Sequence, residues 1–201
     1  MAYHQRVGRR IVERIMTFEP ISLVLFAVAA GGLFVFFQLT GEVLEGETRA
    51  FDETVLLMLR SAEDPGTAIG PFWLSHAMND ITALGGTTVL SLMTVLVTGY
   101  LVLARRRKIA IFTLLSVVGG WVLSASLKLG VARPRPDIVP HLVEVHDLSF
   151  PSGHAMLSAV TYLTLGALLS RAEPGRITRI YTIGVAVLLT FLIGVSRVFL
   201  G

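Results

Sequence analysis

An all-α fold, a polytopic bundle of transmembrane helices, is what this sequence predicts, and three observations carry it. Long apolar runs lack any Lys, Arg, Asp or Glu, charged residues make up only 15% of the 201 positions, and the cations gather at the ends of the runs. A soluble domain of this length carries about 25% charged residues. Apolar residues reach 53%. The length suits one domain, taken as residues 1–201. There is no cysteine, which excludes disulfides, thiolate metal sites and cysteine nucleophiles. The formal charge of +3 does not point to nucleic acid, because the basic residues are placed to orient a membrane protein.

The charge-free runs are Ile21–Thr40, Ile81–Ala104, Ile109–Leu127, Ala155–Ser170 and Ile180–Ser196. A bilayer core of about 30 Å needs roughly 20 helical residues. The first three runs meet that length directly. The fourth is short alone, but His154 is the only His, Lys, Arg, Asp or Glu from Leu148 through Ser170, so its helix can begin within Pro151-Ser152-Gly153-His154. The fifth can extend through Arg179 or Arg197 by snorkelling. The first run is long and lacks a following small-residue cleavage site, unlike a signal peptide. Five spans are expected.

Eleven of the seventeen Lys and Arg residues fall in three places: Arg6, Arg9, Arg10 and Arg14; the Arg105–Lys108 cluster; and Arg171, Arg176 and Arg179. With five spans these share one side, which the positive-inside rule makes cytoplasmic. Residues 1–20 are then a cytoplasmic basic segment. Residues 41–80 form an outer interfacial segment, and residues 128–154 an outer loop. Val7, Ile11 and Ile15, beside Arg6, Arg10 and Arg14, suit a basic helix on the inner leaflet; an ordinary solvated extension fits as well. Phe51, Val55 and Leu59 share one helical face, and Phe72-Trp73 precedes the next run, which reads as interfacial anchoring or a rim for a lipid headgroup. Ser116, Gly120 and Ser124, four apart, suit close helix packing.

Three short stretches at the outer edges of the runs combine into a phosphate-handling set: Lys128 with Arg135-Pro136, then Pro151-Ser152-Gly153-His154, then Ser196-Arg197. Phosphoryl transfer depends on positioning and on stabilising charge spread over the phosphate oxygens. Arg135 and Arg197 can each grip two oxygens with a planar fork, and Lys128 adds a compact charge. Pro134 and Pro136 stiffen the chain around Arg135. The Ser152 hydroxyl can donate to an oxygen. Gly153 admits close backbone approach, and a helix starting near His154 adds its positive end. His154, with an ordinary pKa of about 6.5, suits protonation of a leaving group. Each residue alone has a bland reading as a headgroup contact, a helix cap or a structural histidine; together, on one face, they favour the functional one.

This pattern resembles the type 2 phosphatidic acid phosphatase family, whose signature is K-x-x-x-x-x-x-R-P, then P-S-G-H, then S-R-x-x-x-x-x-H. Lys128 and Arg135 have the required spacing, Pro151 to His154 match throughout, and Ser196-Arg197 begin the third part. The resemblance implies a six-helix core, of which five spans are present, and a phosphatase working through a phosphohistidine without metal or other cofactor. It implies that His154 protonates the leaving group and that Lys128, Arg135, Ser152, Gly153 and Arg197 hold the phosphate. The attacking histidine of the third motif would fall at position 203, beyond Gly201. The expectation is therefore a C-terminally truncated domain in which this 201-residue chain is inactive. His4, His76, His141 and His146 match no motif.

The expected substrate is a phosphorylated lipid in the bilayer, an isoprenyl diphosphate first and a phosphatidate-type glycerolipid second. A multi-pass protein of a bacterial plasma membrane, N-terminus inside and site outside, is expected. Three rivals stand beside this. One is a metal-dependent hydrolase using Asp137, His141, Glu144, His146 and Asp147 of the outer loop. Another is a phosphotransferase that passes phosphate to an acceptor other than water. The last is a non-catalytic phospholipid-binding or transport protein, against which the charge-free runs offer no polar path.

Overall fold

The structure, a computed structural model, describes residues 20–133, 142 and 148–200. The N-terminal basic helix expected around Arg6, Arg10 and Arg14, the residue Arg135 with its flanking prolines, and the loop set Asp137, His141, Glu144, His146 and Asp147 lie outside the described residues. The chain divides into two compact units, one through Glu47 and one from Thr48.

Among the described residues the first unit contains one helix, α1 (Pro20–Glu45). Val28, Phe34, Val35 and Phe37 all lie exposed along it. A helix without a polar face is suited to hydrocarbon on every side. Thr40 returns its hydroxyl to the carbonyl of Phe36 at 2.7 Å, so its one polar group stays inside the helix.

The second unit contains α2 (Arg49–Met58), α3 (Phe72–Leu84), α4 (Thr87–Leu103), α5 (Arg107–Val131), α6 (Gly153–Ala172) and α7 (Arg176–Leu200). The principal packing is α6 on α7, with α5 on α6, α3 on α7 and α4 on α5 around them. Among the described residues four helices are long and apolar enough to cross a membrane, or five when the bent pair α3 and α4 counts as one span. Transmembrane helices and no named strand among the described residues agree with the expected fold class.

The second expected span is not one straight helix. The run Ile81–Ala104 is interrupted at Gly85-Gly86, where α3 and α4 meet at a bend of 44°. Gly85 ends α3 and Gly86 starts α4. A Cβ at Gly85 would lie 2.5 Å from Cγ2 of Ile193 and 3.4 Å from the His154 carbonyl oxygen, so no side chain fits. The bend leaves a carbonyl to satisfy, and the Tyr162 hydroxyl donates to Leu84 O at 2.9 Å.

The interior of this unit is as much small and hydroxylic as apolar. Leu90, Leu157, Tyr162, Ala186 and Ile193 form its apolar cluster, while Thr113, Ser158, Thr161 and Ser196 are buried almost completely. Most of these hydroxyls bond their own helix: Thr113 to Ile109 O, Ser158 to Ala155 O, Ser196 to Ile193 O. Such residues let helices approach where lipid removes the hydrophobic drive for association. A Cβ on Gly166 would stand 2.7 Å from the Ala186 Cβ, which marks a close approach of α6 and α7. Gly120 meets Val160 in the same manner, and with buried Ser124 it supports the packing role expected for the Ser116-Gly120-Ser124 stripe.

The interfacial segment has the helix expected from its periodicity. Phe51 in α2 and Phe72 and Trp73 at the start of α3 are exposed. Between α2 and α3 lies a cation that periodicity does not single out. Arg60 is 5% exposed, and it donates to Phe199 O at 3.0 Å and to Leu200 O at 3.2 Å. Burial lowers its pKa, but a guanidinium starts high enough to stay charged. It therefore fixes the end of α7 with two charge-assisted bonds. Replacing Arg60 by Met should strand the Phe199 carbonyl and leave Leu200 O only the Leu142 N–H at 3.4 Å, cost about 2–4 kcal/mol and lower the thermal unfolding midpoint in detergent; an unchanged midpoint would show that the clamp contributes nothing.

Candidate active site

The last turn of α5 carries Lys128. The helix stops at Ala132, whose φ of 47° is left-handed and whose N–H returns to Lys128 O at 2.8 Å. Left-handed geometry at a non-glycine residue marks a sharp change of direction. Arg133 follows and is held from three sides. Its guanidinium pairs with Asp52 at 2.6 Å and donates to Thr48 Oγ1 at 3.2 Å. Its carbonyl accepts from the backbone N–H of Ser149 at 3.0 Å and from the Ser149 hydroxyl at 3.1 Å. The chain thus leaves α5 and returns to α6 at one clasp, which is tied to α2.

After the clasp come a cis Phe150–Pro151 peptide and the cap of α6. Ser152 is the N-cap, extended at φ −66° and ψ 114°, with its hydroxyl accepting from Ala155 N–H at 3.4 Å. The helix begins at Gly153, as the motif reading expected. A Cβ at Gly153 would sit 3.4 Å from the Lys128 Nζ, 3.5 Å from its Cε and 3.9 Å from the Ser124 hydroxyl. The ammonium group of one motif therefore lies against the bare backbone at the start of the next. An amide-rich helix start beside a cation is an anion-attracting arrangement.

The third stretch arrives on α7. Ser196 is wholly buried and bonds Ile193 O at 2.8 Å, so its hydroxyl serves the helix. Arg197 is 9% exposed. Ile193, one turn earlier, is the residue against Gly85, and Gly85 in turn lies beside the His154 carbonyl. The α3–α4 bend, the first turn of α6 and the last turns of α7 hence meet at one place. His154 is half-buried there. Lys128, Ser152, Gly153, His154 and Arg197 share the same end of the bundle, while Arg135 lies outside the described residues.

Sequence reasoning did not single out Arg133, Asp52, Thr48 or Arg60. Arg133 and Arg135 stand two apart in a proline-flanked stretch, and nothing local tells which of them bonds to protein. Burial of Arg60 has one faint signal, a lone cation directly after the apolar face of α2.

Residues 108–201 match the PAP2 superfamily. The chain is 28% identical over 187 residues to phosphatidylglycerophosphatase B of Bacillus subtilis (strain 168), covering 92% of this chain and 83% of that protein. Its fold is similar to the crystal structure of the first transmembrane PAP2 type phosphatidylglycerolphosphate phosphatase from Bacillus subtilis, with a TM-score of 0.71 and 27% identity over 92% of this chain and 84% of that one. The signature stretches, the transmembrane helices and these similarities agree in direction: residues 108–201 are similar to the PAP2 superfamily, and the fold is that of a transmembrane PAP2 type phosphatase.

Proposed function

We propose that this protein is a membrane lipid phosphatase that hydrolyses the phosphate monoester of a phosphatidylglycerophosphate-type glycerolipid through a phosphohistidine, without a metal ion. The observation that carries this reading is the Lys128 ammonium set against the Gly153 backbone at the start of α6. In this reading Lys128, Arg135, Ser152, Gly153 and Arg197 hold the phosphate oxygens, and their positive charge takes the place a metal would otherwise fill. The histidine that the third motif calls for attacks phosphorus. The bond from phosphorus to the lipid oxygen breaks, and His154 gives its proton to the departing alkoxide. Water then hydrolyses the phosphohistidine and releases inorganic phosphate.

A lipid substrate is supported by an apolar groove of about 330 Å³ between α4, α5 and α6, lined among others by Leu90, Val95, Leu114, Val118, Trp121 and Leu157. Leu157 lies one turn along α6 from Gly153, so hydrocarbon can continue from the headgroup site. Isoprenyl diphosphate, ranked first on sequence alone, moves to second place, because both relatives are named for phosphatidylglycerophosphate. The three basic clusters support a cytoplasmic N-terminus and an outer site.

The deciding experiment is phosphate release from short-chain phosphatidylglycerophosphate in detergent with excess EDTA. A protein carrying the third-motif histidine six residues after Arg197 should release phosphate without any divalent metal. Activity that returns only with a divalent metal would shift the chemistry to Asp137, His141, Glu144, His146 and Asp147. Label passed from substrate to an added alcohol would make the protein a phosphotransferase.

In the active protein, His154→Ala should cost about 10²–10⁴-fold on the lipid and far less on an activated aryl phosphate, whose leaving group needs no proton. Equal losses on both substrates would remove the general-acid role. Arg197→Lys should lower kcat by about 10²-fold, since an ammonium cannot reproduce the two-pronged grip; a wild-type rate would take Arg197 out of the phosphate site.

A further inference from the structure

The far end of the same helices carries a second concentration of positive charge. Arg105, Arg106, Arg107, Lys108, Arg171, Arg176 and Arg179 stand there with a single acid, Glu173. Among the described residues Arg106, Lys108 and Arg171 have no acidic partner; the ion pairs are Arg49–Glu53 and Arg133–Asp52, at the other end. Arg179 is engaged by the backbone carbonyl of Glu173 at 2.7 Å. The cations that remain unengaged do not merely decorate a surface. Arg106, Lys108 and Arg171 rim a cavity of about 290 Å³ whose wall is built by Ile109, Phe112 and Leu168.

Two features of this cavity specify a ligand. The first is its composition, cations from two helices above an apolar wall, which matches an amphipathic anion. A free phosphate gains nothing from Phe112 or Leu168. The second is its depth. Lys108 and Lys128 lie on one continuous helix, α5, and their separation of 20 residues corresponds to about 30 Å at 1.5 Å per residue. A bilayer hydrocarbon core is also about 30 Å thick. The cavity and the signature site therefore lie in opposite headgroup planes and cannot serve one lipid molecule.

We propose that the Arg106–Lys108–Arg171 cavity binds the phosphate headgroup of an anionic phospholipid in the leaflet at the basic end, with an acyl chain descending past Phe112 and Leu168. The bound lipid joins the start of α5 to the end of α6, which ties the stability of the bundle to the charge of that leaflet. This site stands independently of the catalytic reading.

The test is thermal unfolding of the 201-residue protein in neutral detergent micelles doped with phosphatidylglycerol or, at equal mole fraction, phosphatidylcholine. Phosphatidylglycerol should raise the midpoint by about 3 °C or more over phosphatidylcholine, and inorganic phosphate should not. Combining Arg106→Gln, Lys108→Gln and Arg171→Gln should abolish the difference. Lys128→Gln, at the signature end, should keep it, as should the charge-preserving pair Arg106→Lys and Arg171→Lys. Equal midpoints in the two lipids would leave the cations with only a topological role and overturn the proposal. So would a shift reproduced by inorganic phosphate, retained by the triple variant, or removed by Lys128→Gln. Should the triple variant fail to fold, native mass spectrometry of Arg171→Gln decides: fewer retained phosphatidylglycerol molecules than the parent support the site, and an unchanged number overturns it.

Discussion

Where α6 and α7 pack, a Cβ on Gly166 would stand 2.7 Å from that of Ala186, and this close approach on a bare backbone sets the position of the signature residues on those two helices. It places the last turns of α7 beside the first turn of α6. It also draws Ile193 under the α3–α4 bend, where only glycine can stand. A larger residue at any of these contacts would move Arg197 relative to His154 by a fraction of the helix separation. A phosphate held by several donors tolerates little such displacement.

The bilayer explains the choice of interior residues. Lipid tails are as apolar as leucine, so a bundle gains little by burying leucine against leucine. Serines and threonines that satisfy their hydroxyls within their own helix bring backbones close while leaving few polar groups unpaired. The costly polar groups are kept at the two ends. Arg60 is the deepest buried cation among the described residues, and it faces backbone carbonyls, which keeps the end of α7 fixed without placing a carboxylate beside a phosphate site.

The spans and the three signature stretches were legible because their signals are local: apolar length, charge at the run ends, and fixed spacing along the chain. Gly153 as a helix start could be read from Ser152 before it and apolar residues after it. The bend at Gly85-Gly86 could not, since two glycines in an apolar run are compatible with a continuous helix, and the reason for them sits at Ile193, more than a hundred residues away. The same holds for Arg60 and Phe199, and for Arg133 with Asp52. Partners so distant in sequence are chosen by packing and leave no trace in periodicity. Among two neighbouring arginines, only the fold shows that Arg133 is spoken for by protein groups.

The clasp between Arg133 and Ser149 has an evolutionary side. It joins the two ends of residues 134–148 by hydrogen bonds at one carbonyl and anchors that junction to Asp52. Closing a longer loop across a fixed gap adds only about 0.6 kcal/mol per doubling of its length. With Arg135 and Pro136 kept at their spacing from Lys128, the residues from 137 to 148 can change in length or sequence while the start of α6 stays in place. What the site admits can thus be altered beyond Pro136 without rebuilding the helix ends that carry Lys128 and Gly153.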